Sequence, residues 1–215
     1  MTRTGKYKSV RQLEFFLMRL LDIGISIFAL ALLAPLFLLT MLAVKITSPG
    51  PIFFAHLRIG RGGQLFPCLK FRTMAIDAQE RLQRILDTDP VARQEWLMDH
   101  KLKKDPRVTP IGRFLRASSI DELPQFLNVL KGDMSIVGPR PIVVGEMPRY
   151  GRYFAHYCRV KPGITGLWQV SGRNDVSYQR RVAMDVSYCR SRSLMLNLRI
   201  ILLTVPMVLL ARGSY

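Results

Sequence analysis

The chain has 215 residues, 49% of them hydrophobic, with 32 Lys and Arg against 15 Asp and Glu, a formal net charge of +17. That length fits one domain with room for a membrane appendage, and the charge implies anionic partners: nucleic acid, acidic lipid head groups or phosphorylated substrates. Cys68, Cys158, Cys189 and the three histidines stand apart, with no CxxC or HxxxH spacing, which argues against a structural zinc site and fits a reducing compartment.

Residues 23–44 carry no charge. As one straight helix they would extend roughly 33 Å, enough to cross a hydrocarbon core of about 30 Å. Pro35 falls near the middle, leaves the Ala31 carbonyl without its helical partner and predicts a kink, with Ser26, Thr40 or a protein contact as candidate partners for the freed backbone. Both flanks are basic: Arg3, Lys6, Lys8, Arg11 and Arg19 before, Lys45, Arg58, Arg61, Lys70 and Arg72 after. The positive-inside rule therefore assigns both ends to the cytoplasm, so a hairpin that enters and leaves one leaflet competes with a spanning helix. Arg19 and Asp22 lie one turn apart at its entry, either to meet a lipid phosphate or to pair with each other.

Ser48-Pro49-Gly50-Pro51 ends this segment. Residues 52–59 and 64–71 read as two strands around Gly60-Arg61-Gly62-Gly63, a hairpin. Residues 75–86 and 91–102 are patterned as charged helices, Asp105-Pro106-Arg107 as a turn, and 111–117 as a short basic helix. A further helix carries Asp121-Glu122 and ends at Gly132. Pro162 to Gly166 reads as a tight turn, 177–190 as a polar helix, and Leu194 to Ala211 as an apolar helix. Its uncharged run from Ile200 is too short to span, leaving a place in the membrane interface or against the soluble core. Trp96 and Trp168 fit core or interface packing.

The adjacent carboxylates Asp121 and Glu122, set among Arg113, Arg116 and Arg140, are the candidate chemical centre. They also fit helix capping: Ser119-x-x-Glu122 has capping-box spacing, and Asp121 can itself cap a helix with Pro124 in its first turn. Either arrangement favours ionised carboxylates, so one can bind a cation while the other attacks or takes a proton, a division suited to phosphoryl chemistry. Arg140, held between Pro139 and Pro141, has a fixed backbone for clamping an anion.

The ordered stretches RLLDIGISIFALALLAPLFLL, SPGPIFFAHLRIGRGGQLF, LKFRTM, DPRVTPIGRFLRASSIDELPQFLNVLKGDMSIVGPRP and VKPGITGLWQVSGRN resemble the bacterial sugar transferase family, the monotopic polyprenyl-phosphate phosphoglycosyl transferases. GRNDVSYQRRVAMDVSY and LLARGSY are similar to the initiating transferases of rhizobial-type exopolysaccharide synthesis. The resemblance implies a helix-rich α+β, membrane-monotopic fold: a tail and re-entrant helix broken at Pro35 over 1–47, and a catalytic domain over 48–215 with a small β-hairpin and interfacial amphipathic helices. It implies transfer of a sugar-1-phosphate from a UDP-sugar, galactose or glucose, to undecaprenyl phosphate at the cytoplasmic face of a bacterial inner membrane. By that likeness Asp121 is the nucleophile, Glu122 holds Mg²⁺, and Arg140 with Pro139 and Pro141 holds the nucleotide. Lys70, Arg72 and Arg116 line the substrate pocket, and Arg19 meets the lipid phosphate. Anionic membrane lipid is an expected partner, nucleic acid is not, and a homodimer is compatible with the chain. The chain departs from the family at Met18, where a Lys is usual, and at Asn197, where an Asp is common. Three readings compete: a basic module binding nucleic acid or acidic lipid, a nucleotide-sugar hydrolase, and a transferase using Asp121 as general base in a ternary complex.

Overall fold

A computed structural model describes residues 3–99, 102, 105–171 and 176–209, with side chains from Gln12 onward except at 98, 99, 208 and 209. His100, the segment 172–175 with Arg173, the closing LLARGSY motif from residue 210 on, and the side chains of Arg3, Lys6, Lys8 and Arg11 lie outside the described residues.

The apolar segment forms two helices, α1 (Arg3–Leu32) and α2 (Ala34–Thr47). The break falls at Leu33, two residues before Pro35, whose ring removes the amide that would close onto Ala31. The uncharged run is thus not one helix, and the expected tail is itself helical from Arg3. The stretch long and apolar enough to cross a bilayer is instead Gln12–Leu32. Neither Ser26 nor Thr40 answers the Ala31 carbonyl. Thr40 donates to the Leu36 carbonyl at 2.8 Å, and the Ser26 hydroxyl is buried with no partner among the described residues.

The chain gathers into two compact units. The first comprises residues up to Ala34, Ala55–Leu69 and the part from Pro124 onward. Its sheet is β3 (Ser135–Val137) and β4 (Gly163–Thr165), paired in parallel with Ser135 opposite Gly163 and Val137 opposite Thr165. The centre of Pro162 to Gly166 therefore forms a strand, not the expected turn. A parallel partner needs a crossover, supplied by α7 (Met147–Tyr150) and α8 (Phe154–Tyr157). Around the sheet pack α6 (Gln125–Lys131), α9 (Leu167–Val170), α10 (Tyr178–Ser191) and α11 (Leu194–Leu209). Phe66, Val129, Met134, Ile136, Tyr188 and Ile200 form one core cluster. Trp168 is buried under the Arg181 guanidinium, as core packing predicts.

The described charged side chains of α1 are engaged inside this unit. Glu14 accepts from the Leu194 amide at 2.8 Å, and Asp22 accepts from the Ser135 hydroxyl and the Ile136 amide. Arg19 donates to the carbonyls of Val129 and Leu130 at 2.6 and 2.8 Å, capping the end of α6 together with the Gly132 amide, which also reaches Val129. Arg19 and Asp22 thus have separate partners instead of pairing. Met18 is 1% exposed, so a lysine there would bury its stem and ammonium, and methionine suits the site. Asn197 is buried and accepts from the Tyr188 hydroxyl at 2.8 Å. A neutral amide there avoids a second buried carboxylate. Of the two readings of the last apolar helix, core packing holds for one face of α11, through Asn197 and Ile200. Met195 and Leu202 leave the other face exposed.

Asp185 on α10 is buried, accepts from the Tyr150 hydroxyl at 2.7 Å, and has a second oxygen without a partner among the described residues. Burial pushes its carboxyl up to about 7. The folded value lies above the ordinary one, so protonation favours the fold. The stabilisation is complete below about pH 4 and lost as pH rises through about 7. Asp185→Asn keeps an acceptor for Tyr150 and removes this dependence. The wild-type melting temperature should fall between about pH 4 and 7 relative to that of the variant and level off above that, measured by scanning calorimetry in detergent.

The second unit comprises Pro35–Phe54 and Lys70–Leu123. Its core joins Val44, Phe71 and Leu115, with Phe37 and Phe53 against Phe71 at ring separations of 4.8 and 5.5 Å. The expected hairpin is present as β1 (Phe53–Ile59) and β2 (Leu65–Phe71); its residues Ala55–Leu69 belong to the first unit and its ends to the second. The three expected helices are α3 (Ala78–Thr88), α4 (Pro90–Asp99) and α5 (Pro110–Ala117).

Candidate active site

In the second unit the strand β2 delivers Lys70 and α5 delivers Arg116, and the chain leaves α5 through an abrupt reversal. Ser119 adopts φ 59, a left-handed conformation uncommon outside glycine, and Ile120–Glu122 then forms one 3₁₀ turn. The carboxylate pair therefore precedes α6 instead of sitting on it. The capping readings fail, because the Ser119 side chain caps nothing and the residue before α6 is Pro124. Gly132 ends α6 as expected, with φ 99.

The turn brings Lys70, Asp121 and Glu122 together. The Lys70 ammonium lies 2.6 Å from Glu122 Oε1 and 3.6 Å from Asp121 Oδ2. Asp121 is 7% exposed. Burial pushes its carboxyl up and the Glu122 charge adds to that, while Lys70 and Arg116 pull it back. The result is a desolvated carboxylate held next to an ammonium, a state in which an anion is reactive and still paired. Burial lowers the Arg116 guanidinium, and Asp121 and Asp105 oppose that shift.

Arg116 is aimed by contacts that the sequence reading did not single out. Its Nε donates to Thr73 Oγ1 at 2.9 Å, and Thr109 caps α5 by accepting from the Gly112 amide at 3.0 Å. A Cβ on Gly112 would run into the Thr73 backbone, so only glycine lets α5 approach this closely. Gly112→Ala is expected to destabilise by about 1–3 kcal/mol through overpacking and to displace Arg116. Chemical denaturation read by tryptophan fluorescence measures the first effect, and transferase assays of the folded fraction the second. The signal available in the sequence was Thr-Pro-Ile-Gly, a capped helix start with a glycine in its first turn.

Arg72 is 7% exposed and donates through Nη2 to the Ser48 carbonyl at 2.6 Å. Its Nε and Nη1 have no partner among the described residues, and burial lowers its guanidinium. Its contact with the Ser48-Pro49-Gly50 bend is close: a Cβ on Gly50 would strike Nη1. Arg140 is exposed in the first unit, between Pro139 and Pro141. The bend that carries it is fastened by Arg58 Nη1 donating to the Pro141 carbonyl at 3.1 Å and by Ile59 bridging Ile142. Arg19 belongs to the first unit, against α6.

Among the described residues no three His, Cys, Asp or Glu side chains converge as metal ligands. Mg²⁺ keeps several waters and commonly takes only one or two carboxylates plus substrate phosphates. Glu122 offers one such carboxylate, which a metal would have to share with, or take from, the Lys70 ammonium 2.6 Å from its Oε1.

A family model described as bacterial sugar transferase matches residues 13–211. The exopolysaccharide production protein ExoY of Sinorhizobium fredii is 52% identical over 197 residues, covering 92% of this chain and 87% of the relative. The undecaprenyl-phosphate galactose phosphotransferase of Salmonella typhimurium is 51% identical over 201 residues, covering 93% of this chain and 42% of the relative. The UDP-glucose:undecaprenyl-phosphate glucose-1-phosphate transferase of Caulobacter vibrioides is 43% identical over 205 residues, covering 92% of this chain and 71% of the relative. The chain belongs to the bacterial sugar transferase family. It is an enzyme of the phosphoglycosyl transferase class.

Proposed function

We propose that the protein transfers a hexose-1-phosphate, galactose or glucose, from a UDP-sugar to undecaprenyl phosphate, releasing UMP at the cytoplasmic face of the inner membrane. The transfer would open exopolysaccharide repeat-unit assembly. The observation that carries this reading is the desolvated Asp121 carboxylate beside Lys70 and Glu122. The relatives' names support the donor and acceptor classes.

In the first half-reaction an Asp121 oxygen attacks the sugar-proximal phosphorus. A carboxylate–phosphorus bond forms, the bridging phosphorus–oxygen bond breaks, and UMP leaves with the electron pair. In the second, an oxygen of the lipid phosphate attacks the same phosphorus, breaks the acyl phosphate and regenerates the carboxylate. Neither step needs a proton on Asp121, so the residue must be ionised. Lys70 holds it so and, with Arg72 and Arg116, offsets phosphate charge. Glu122 would hold Mg²⁺, which supplies further neutralisation of the diphosphate when bound. Arg140, on its fastened bend, would take the nucleotide phosphate, and the remaining donor capacity of Arg19 would face the lipid phosphate. A re-entrant α1–α2 segment, interrupted at Leu33 before Pro35, would keep both ends on one side of the membrane.

The test is UMP release from a panel of UDP-sugars by detergent-solubilised protein, with and without undecaprenyl phosphate and Mg²⁺. The reading expects turnover with one hexose donor, dependent on lipid and metal. UMP and free sugar phosphate without a lipid product would mean a hydrolase. No UMP from folded protein would favour the basic binding module.

A further inference from the structure

Around Arg19 the first unit carries further charge, on Lys161, Arg61 and Arg192, that the transfer chemistry leaves unused. Lys161, just before β4, is half-buried and makes no hydrogen bond or ion pair among the described residues. The guanidinium groups of Arg19, Arg61 and Arg192 lie within its electrostatic reach, and with its burial they depress its ammonium. Asp22 is the one opposing carboxylate there, and both of its oxygens are taken by Ser135 and Ile136. Lys161 Nζ and Arg19 Nη2 converge on one point: a Cβ on Gly132 would lie 3.5 and 3.7 Å from them. Arg192 stacks over the Phe15 ring at 5.1 Å, and its buried Nε has no partner.

An apolar groove of about 410 Å³ runs between the start of α11 and α1, lined by Leu13, Leu17, Leu194, Met195 and Leu198; Arg192 precedes its Leu194 by two residues and Phe15 follows its Glu14 directly. Glu14, its one charged lining residue, is engaged by the Leu194 amide. An apolar channel next to uncompensated cations matches a molecule with a hydrocarbon chain and an anionic head. A zwitterionic lipid would bring its own ammonium into a cluster where cations outnumber the single carboxylate, Asp22, so a net negative head group is favoured.

We propose that α1 and α11 seat one acidic phospholipid, with an acyl chain in the Leu13–Leu17–Met195 groove and its phosphate at Lys161 and Arg192. The seat shares its cation cluster with Arg19, the residue assigned to the acceptor phosphate, while Lys161, Arg192 and the groove have no assigned part in the transfer; its occupancy is independent of whether the covalent mechanism holds.

The test is native mass spectrometry of the full chain released from detergent micelles and titrated with phosphatidylglycerol or with phosphatidylcholine of the same acyl chains. Retained phosphatidylglycerol should exceed phosphatidylcholine, and Lys161→Gln and Arg192→Gln should each weaken it about fivefold. Arg199→Gln, an exposed charge farther along α11, should leave retention unchanged. Met195→Asp should weaken retention of both lipids by placing charge in the groove. Circular dichroism melts confirm that each variant is folded. Equal retention of the two lipids, or retention indifferent to Lys161 and Arg192 in folded variants, overturns the proposal. Displacement of phosphatidylglycerol by equimolar undecaprenyl phosphate also overturns it, and would make the groove an acceptor site. UMP release measured on the same samples keeps failure here distinct from failure of the transferase reading.

Discussion

Asp121→Asn leaves the protein membrane-bound and lowers kcat by about 10⁴-fold or more. The substitution is nearly isosteric at a side chain only 7% exposed, and Lys70 keeps its 2.6 Å ion pair with Glu122. The fold and the local cation therefore survive while the nucleophile is lost. A neutral amide oxygen cannot displace UMP and then be regenerated by the lipid phosphate. UMP release and flotation with liposomes, measured on one preparation, separate chemistry from membrane association. Substantial turnover by the folded variant would remove Asp121 from the covalent role.

Lys70→Met has the second largest expected effect, and it acts through Asp121. Desolvation and the Glu122 charge push the Asp121 carboxyl up, and the Lys70 ammonium is the first influence that opposes them. In the wild type, activity falls as pH drops through the Asp121 titration, because the protonated acid is no nucleophile. Without Lys70 that titration moves to higher pH, so the acidic limb of the kcat/KM profile shifts in the alkaline direction. The rate at neutral pH falls by about 100-fold, since a fixed positive group next to the reacting phosphate is also lost. A purely structural role would scale the whole profile down without moving its acidic limb.

The elements that local chemistry dictates were legible in the sequence. The hairpin about Gly60–Gly63, the α5 helix behind Thr109 and Pro110, and the stop at Gly132 each rest on residues whose backbone preferences act alone. The interruption before Pro35 belongs with them, because a missing amide is a local fact. Parts that depend on distant partners were not legible. Pro162–Gly166 reads as a turn because Pro and two Gly are turn residues, yet it becomes β4 when β3, some 25 residues earlier, supplies the ladder. Ser119–Glu122 has the spacing of a capping box, but the left-handed Ser119 diverts the chain before a helix can start. Arg19 and Asp22 look like an ion pair one turn apart. Each is instead claimed by groups more than a hundred residues away, the end of α6 and the start of β3.

The candidate site divides the same way. Asp121, Glu122 and the basic character around them were visible as a sequence feature, while Lys70 was placed at the pocket only by likeness to the family, and its contact with both carboxylates was not legible. Thr73, which orients Arg116, carries no signal of its own, because a threonine after a strand has many ordinary uses. The Met18 and Asn197 departures acquire meaning only from burial: one fills the core, and the other gives Tyr188 a neutral acceptor.

The central claim is a covalent phosphosugar on Asp121, and intact-protein mass spectrometry tests it most directly. Purified protein is mixed with Mg²⁺ and the UDP-hexose that supports turnover, in the absence of undecaprenyl phosphate, and quenched in acid on the millisecond-to-second scale. The account predicts a gain of one hexose phosphate per chain, absent from Asp121→Asn, discharged when undecaprenyl phosphate is added, and matched by one equivalent of UMP. Full turnover with added lipid but no mass gain and no UMP burst without it would contradict the account, and would place Asp121 as a general base in a single-displacement transfer.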